Sequence, residues 1–289
     1  MAIDKQILKK VLIDRIEIVQ QLSFIERKIT IEDQMPTILI GIRRCGKSYI
    51  LYQKMNELVA KGYHWDEFLY INFEDERLIG FEISDFTALI EAYYSISKKD
   101  PILFLDEIQN ITGWEKFARR MADEKRMVFI TGSNSKMLST EMEKSLGGRY
   151  TTVPVYVYGF SEFLRAKKFI WNSKSLISTK DRFEFVLYFD EYLTNGGFPE
   201  LSNIINKRDY LSGIFNKIFL GDIIMRYGVT NSIALEVLMK KIAETVRHPI
   251  SFTRLSNIVN AVGVHVGKST IIQYLDYSKE SQLIFSVGN

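Results

Sequence analysis

The chain has 289 residues, enough for two domains or for one large and one small domain. Hydrophobic residues make up 46% and charged residues 25%, so a sizeable core is available, and a formal net charge of +3 is too small to mark a nucleic-acid binder by itself. One cysteine excludes an internal disulfide and fits a reducing compartment; with no signal-peptide core at the start and no apolar run near the ~18 residues of a membrane span, the expectation is a cytoplasmic protein with no membrane segment.

In chain order, residues 3–20 place Ile3, Ile7, Leu8, Val11, Leu12 and Ile16 on one helical face, which predicts a helix packed against the domain that follows. Thr37–Ile40 reads as a short apolar strand. It leads into Gly41-Ile42-Arg43-Arg44-Cys45-Gly46-Lys47-Ser48, and Tyr49–Val59 then reads as an amphipathic helix closed by Gly62. Strand, glycine loop and helix form the setting of the G-x-x-x-x-G-K-[ST] phosphate loop, or Walker A signature. Gly41 and Gly46 let the backbone curl, so that N–H groups point at phosphate oxygens, and the helix N-terminus adds unpaired donors. In this pattern Lys47 reaches the β- and γ-phosphates of ATP and the Ser48 hydroxyl holds Mg²⁺. The candidate nucleotide contacts are therefore Gly41, Ile42, Arg43, Arg44, Cys45, Gly46, Lys47, Ser48 and Tyr49. Arg43 and Arg44, in the middle of the loop, are expected to point outward into packing or salt bridges. Cys45 lies beside Lys47 and a helix N-terminus, an arrangement that lowers a thiol pKa and predicts alkylation that ATP prevents; the alternative is an inert filler.

Phe68–Phe73 is a second strand, followed by the acidic run Glu74-Asp75-Glu76, and residues 83–96 read as a helix. Pro101–Leu105 is a continuous apolar strand of the buried parallel kind, ending in Asp106-Glu107. Asp106 is placed to hold the Mg²⁺ shell, as a Walker B aspartate does, and Glu107 to orient and deprotonate an attacking water. Trp114–Met121 is helical and Met127–Thr131 is a strand followed by Gly132-Ser133-Asn134. Thr131, Ser133 and Asn134 are the candidates for a polar group that lines up the water or the γ-phosphate, with Ser133 or Asn134 favoured. Gly147-Gly148-Arg149 precedes a fifth strand, Thr151–Val157; Arg149 is a candidate for transition-state charge stabilisation, in cis or across a subunit boundary. Strands alternating with helices predict an α/β fold, a parallel sheet covered on both faces, with its ligand at the strands' C-terminal ends.

Beyond residue 161 the strand signal fades. Phe183–Leu193 and Tyr210–Met225 read as helices on either side of Asn195-Gly196-Gly197-Phe198-Pro199. The expected division is an N-terminal helical segment (1–34), a P-loop ATPase domain (35–165), a helical connector (166–231) and a terminal unit (232–289). The last has helices at Leu235–Val246, Ser251–Val262 and Lys268–Tyr277, spaced like a winged helix-turn-helix. Its six Lys/Arg against four Asp/Glu are a weak surplus for DNA; contact through 251–277 would use Lys268, Ser269, Thr270, Gln273 and Tyr274, with Ile271, Ile272 and Leu275 facing the core. Gly263–Ser269 imitates a phosphate loop but is one residue short and follows no strand, so it reads as a turn. His64, His248 and His265 lack zinc-ligand spacing.

Taken together, several pieces resemble the prokaryotic AAA+-type ATPases that carry a C-terminal domain of unknown function. They are Gly41–Ser48, Leu105-Asp106-Glu107-Ile108-Gln109, Thr131-Gly132-Ser133, Gly148-Arg149, Tyr158-Gly159-Phe160-Ser161-Glu162-Phe163 and Gly196-Gly197-Phe198-Pro199-Glu200, with Thr270-Ile271 and Tyr274-Leu275 in the winged-helix region. The resemblance implies ATP binding, Mg²⁺-dependent hydrolysis, and a core, connector and winged helix in that order. Relatives usually continue into a nuclease-like region, whereas this sequence ends where a wing strand is expected. The resulting expectation is an ATPase with Lys47, Ser48, Asp106, Glu107, Ser133 and Arg149 at its site and a homo-oligomer as its working form. The alternative is a nucleotide-gated switch with little turnover, whose terminal unit recruits DNA or a protein.

Overall fold

A computed structural model describes residues 3–133, 146–171, 178–246 and 248–285. The chain divides into two compact units, Met1–Ile205 and Asn206–Asn289. The first is built on five parallel strands: β1 (Thr37–Gly41), β2 (Phe68–Asn72), β3 (Ile102–Asp106), β4 (Val128–Ser133) and β5 (Thr151–Pro154), in the order β2-β3-β4-β1-β5.

Alternation along each strand sorts its side chains between two cores. Ile38, Ile40, Leu69, Ile71, Leu103, Leu105, Val128 and Ile130 share one face with buried residues of α1 (Lys5–Gln21), α3 (Phe86–Tyr94) and α4 (Trp114–Asp123). Leu39, Phe68, Tyr70, Ile102, Phe104 and Phe129 share the other with Ile50, Leu51, Met55 and Leu58 of α2 (Lys47–Ala60). Strands β1, β2 and β3 are mostly apolar and buried because both faces are covered, whereas the edge strand β5, Thr151-Thr152-Val153-Pro154, is largely exposed.

Element boundaries shift where local chemistry intervenes. Helix α1 buries Leu8, Val11 and Leu12 as its stripe predicts, but Ile7 is exposed and Val19 is buried instead. The helix expected over 83–96 opens with a tight 3₁₀ turn, Ile83–Asp85, where the Asp85 carboxylate accepts the Glu82 N–H at 2.9 Å. The fifth strand ends at Pro154, at the open edge of the sheet where its missing N–H costs no bond to β1, and Val155 just beyond still donates its N–H to Ile40 O. Helices α5 (Phe160–Ala166) and α6 (Thr179–Asn195) and the 3₁₀ turn Pro199–Asn203 follow, all within the first compact unit. Phe160, Phe163, Tyr188 and Tyr192 link α5 to α6 through ring contacts.

The second unit is helical: α7 (Lys207–Asn216) runs into a π-helical stretch, Lys217–Met225, followed by α8 (Ser232–Thr245), α9 (Phe252–Asn260) and α10 (Lys268–Glu280). Side chains cap α8 and α9, Asn231 accepting from the Ala234 N–H at 3.0 Å and Ser251 from the Arg254 N–H at 3.2 Å. Helices form where the sequence places them in this unit, and among its described residues there is no strand to serve as a wing. Ile271 and Leu275 are buried as expected. Tyr274, assigned above to the nucleic-acid side, is 5% exposed and belongs to the same core, because it follows Ile271 by three residues, slightly under one helical turn, and so shares its face. The turn reading of Gly263–Ser269 agrees with the structure, in which Gly267 starts α10 with no strand before it. No helix among the described residues is long and apolar enough to cross a membrane.

Candidate functional site

The phosphate-loop sequence leaves the C-terminal end of β1 and enters α2. Gly46 needs its glycine for conformation, with φ at 99°. Gly41 needs its own for a different reason: its backbone is ordinary, but a Cβ there would lie 2.1 Å from the Val155 carbonyl oxygen and 2.6 Å from Cys45 Sγ. Val155, just past β5, donates its N–H to Ile40 O at 2.6 Å, and this approach leaves no room for a methyl group. Gly46 precedes α2 without capping it through a side chain, so the first turn of α2 presents its N–H groups to the loop.

Lys47 is 4% exposed. Its Nζ donates to Gly41 O at 3.0 Å and Ile42 O at 3.1 Å, and lies 3.4 Å from Glu107 Oε1. Arg43 and Arg44 point outward as expected, pairing with Glu74 at 3.0 Å and Glu200 at 2.5 Å. Tyr49 is half exposed and meets Phe24 and Tyr52 edge-on. The expectation of a reactive thiol fails. Cys45 is fully buried against the α2-side core, and burial pushes its thiol up despite Lys47 and Arg27 nearby.

Strand parity decides where the acidic pair goes. Asp106 shares the face of Ile102 and Phe104, which is the α2 face, and so meets Ser48 at the start of α2. It is wholly buried, accepts a hydrogen bond from Tyr70 Oη at 2.9 Å with Asn72 Nδ2 at 3.4 Å, and has the Ser48 hydroxyl near enough to favour its charged form. A third hydroxyl, that of Thr131, donates to Asp106 Oδ1. Burial, with Glu107 next in line, pushes the Asp106 carboxyl up, and the three hydroxyls oppose that shift. Tyr70 passes the network on to Tyr52, 3.0 Å away; burial raises both phenols, Tyr52 to about 12.

Glu107 leaves the strand in the left-handed region, φ 53°, uncommon for a residue with a side chain. Its N–H donates to Thr131 Oγ1 at 2.9 Å, and Gln109 Nε2 donates to its Oε2. Thr131 thus joins the two carboxylate residues: it accepts from the main chain of Glu107 and donates to Asp106. Ser133, favoured above, pairs with Gly41 in the sheet register; its side chain and the whole of Asn134 lie outside the described residues.

Arg149 is not brought to this cluster. Its Nε donates to Asp123 Oδ1 at 2.5 Å, at the end of α4. Two residues on, Thr151 pairs with Thr37, the first residue of β1. Arg149 is therefore at the strands' N-terminal ends, and the loop is at the opposite ends of the same strands. Residues missed in the sequence include Tyr70, hidden in an apolar strand, and Arg27, whose guanidinium lies behind the loop and donates to Cys45 O at 3.1 Å. Pro199 and Glu200 also reach the loop: a methyl group on Gly46 would meet the Pro199 ring at 3.7 Å, and Glu200 holds Arg44.

A glycine loop joining an inner parallel strand to a helix, with a buried aspartate at the end of β3, separated from β1 by β4, facing the loop's serine, defines an α/β domain of the P-loop class. Residues 33–164 match the AAA domain family. An uncharacterized protein of Methanocaldococcus jannaschii is 35% identical over 293 residues, covering 99% of this chain and 65% of its own length. An uncharacterized protein of Haemophilus influenzae is 32% identical over 252 residues, covering 86% of this chain and 61% of its own. The chain thus spans a little under two thirds of the length of these relatives. Among solved structures, AMPPCP-bound DnaA from Aquifex aeolicus aligns with 95% of this chain and 87% of that one, at 13% identity and a TM-score of 0.35.

Proposed function

We propose that the first unit binds ATP with Mg²⁺ at the loop 41–48 and hydrolyses it. The observation that carries this reading is the buried Asp106 carboxylate facing the Ser48 hydroxyl at the start of α2, beside the Lys47–Glu107 pair. Ser48 and Asp106 offer a hydroxyl and a carboxylate, the oxygen donors Mg²⁺ takes when phosphates complete its shell. The bound ion supplies charge neutralisation at the phosphates. The N–H groups of the loop and the first turn of α2 hold the phosphate oxygens. Lys47 reaches the β- and γ-phosphates only by giving up the carbonyls of Gly41 and Ile42 that it now bonds. Glu107 orients the attacking water and takes its proton, and Thr131 holds Glu107 and Asp106 at a fixed spacing.

Lys47→Ala is expected to abolish ATP binding. Glu107→Gln is expected to bind ATP as the wild type does and to lose about 10²-fold or more in turnover. Single-turnover assays with both variants test the assignment, and turnover by Glu107→Gln within about threefold of wild type removes the general base.

A second reading, a nucleotide switch with little turnover, draws on the engagement of both Glu107 oxygens, one by Gln109 and one beside Lys47. In it the second unit recruits a partner. DNA contact would rest on Lys268, Ser269 and Gln273, all exposed on α10.

A further inference from the structure

Arg27 lies in the extended segment between α1 and β1, outside every motif, yet it is only 7% exposed. All five N–H donors of its guanidinium have acceptors. Nε and Nη2 form a fork on Glu162 of α5, at 2.8 and 3.0 Å. Nη1 donates to Cys45 O in the phosphate loop at 3.1 Å and to Tyr156 O at 2.9 Å, and Nη2 also reaches Val157 O at 3.4 Å. The Tyr158 ring covers the guanidinium, its centroid 5.2 Å from Cζ. The main chain of Arg27 is gripped as firmly. Gln53 of α2 accepts its N–H at 2.8 Å and donates to its carbonyl at 2.9 Å.

The side chain thus ties the outer wall of the loop to the segment leaving β5 and to α5, while the backbone is fixed to the helix that the loop opens. Glu162 is held in turn: it accepts the Gly159 N–H at 2.9 Å, closing the first turn of α5. Burial pushes its carboxyl up, but Arg27 and that N–H outweigh burial and hold it below the ordinary range.

The peptide bond between Cys45 and Gly46 is trans and planar, so its C=O and N–H point in opposite directions. Arg27 draws the Cys45 carbonyl outward, and the Gly46 N–H then faces the inside of the loop, where a phosphate oxygen would sit. We infer that Arg27 is a positioning residue of the nucleotide site: by fixing the Cys45–Gly46 peptide it aims the Gly46 N–H at the phosphates. The inference rests on the ATP reading above and adds a residue that no motif marks. Lysine cannot replace it, having three donors and no planar fork.

The test uses the full chain, Arg27→Lys and Glu162→Gln, with ADP and Mg²⁺ as the probe. Because Cys45 is the only cysteine, labelling cysteine carbonyls with ¹³C and glycine amides with ¹⁵N isolates the Gly46 amide as a single resonance. In the wild type that resonance is expected to shift on adding ADP. In Arg27→Lys the shift is expected to disappear and ADP affinity to fall about tenfold, with the nucleotide-free melting temperature held within a few degrees. Glu162→Gln keeps the guanidinium but loosens it, and about a threefold loss is expected. Affinity and resonance shift unchanged in Arg27→Lys overturn the inference and leave the ATP reading standing. If Arg27→Lys does not fold, Glu162→Gln decides: an unchanged shift and affinity overturn the inference. A wild type that binds no ADP overturns the ATP reading and the inference with it.

Discussion

Asp106 has hydroxyls around it from three elements: Tyr70 on β2 and Thr131 on β4 donate to it, and Ser48 on α2 faces it. Such a set fixes the carboxylate's plane and leaves its direction to the neighbouring groups rather than to solvent. Ser48 belongs to the loop and Thr131 also bonds the main chain of Glu107, so Tyr70 best isolates this orienting role. Tyr70→Phe is expected to raise the Mg²⁺ concentration needed for half-maximal turnover about threefold to tenfold. ADP binding measured without Mg²⁺ should not change, and equal losses in both assays would point to general damage instead. Parity explains why this was only partly legible. The acidic pair stands out at the end of an apolar run, but the alternation that turns Asp106 toward Ser48 becomes readable only once the strand ends are known. Tyr70 reads as one more apolar strand residue, and its hydroxyl carries no sequence signal. Arg27 was beyond reach because most of its acceptors are main-chain carbonyls, which no residue type announces, at positions up to 130 residues away.

Helix α1 is tied to the loop after β2 by charge as well as by its apolar stripe. Arg15 and Arg77 both reach Asp75, at 2.7 and 2.9 Å, and Arg77 also pairs with Asp14 at 2.6 Å. The acidic run noted in the sequence therefore contains a buried anchor, the Asp75 side chain being 1% exposed. Arg77, with Arg15 opposite, holds the Asp75 carboxyl well below the usual carboxylate range in spite of its burial. A depressed folded-state pKa adds stability that is complete above the ordinary carboxylate value of about 4 and fades as pH falls below it. Asp75→Asn is accordingly expected to cost roughly 2–3 kcal/mol at pH 7. The gap in melting temperature to wild type should narrow steadily below about pH 4, and a gap independent of pH would separate Asp75 from this role. The apolar strands and amphipathic helices were legible at this scale because burial on both faces writes itself into composition. The ends were not, since Asp85 and the neighbours of Gly41 set them through local hydrogen bonds and close approach.

At the scale of the molecule, Arg149 sits at the strand ends away from its own loop, so a catalytic part for it requires a second copy of the chain. If it acts as a finger, turnover per chain should rise with protein concentration. Arg149→Ala should then lose about 10³-fold in turnover and keep its ATP affinity. Mixing it with Lys47→Ala, which has an intact arginine, should restore part of the rate; no recovery in the mixture would confine the residue to its pair with Asp123. The compact units divide at 205/206, so the segment that follows the sheet, expected as a separate connector, stays with the sheet up to Ile205. Its last turn, Pro199–Asn203, is the one that rests on the phosphate loop through Pro199 and Glu200. From Glu200 to Asn206 the backbone can span only about 20 Å even at full stretch. An occupant of the cradle that displaced Arg44 would release Glu200 and loosen the turn Pro199–Asn203, the last element of the first unit.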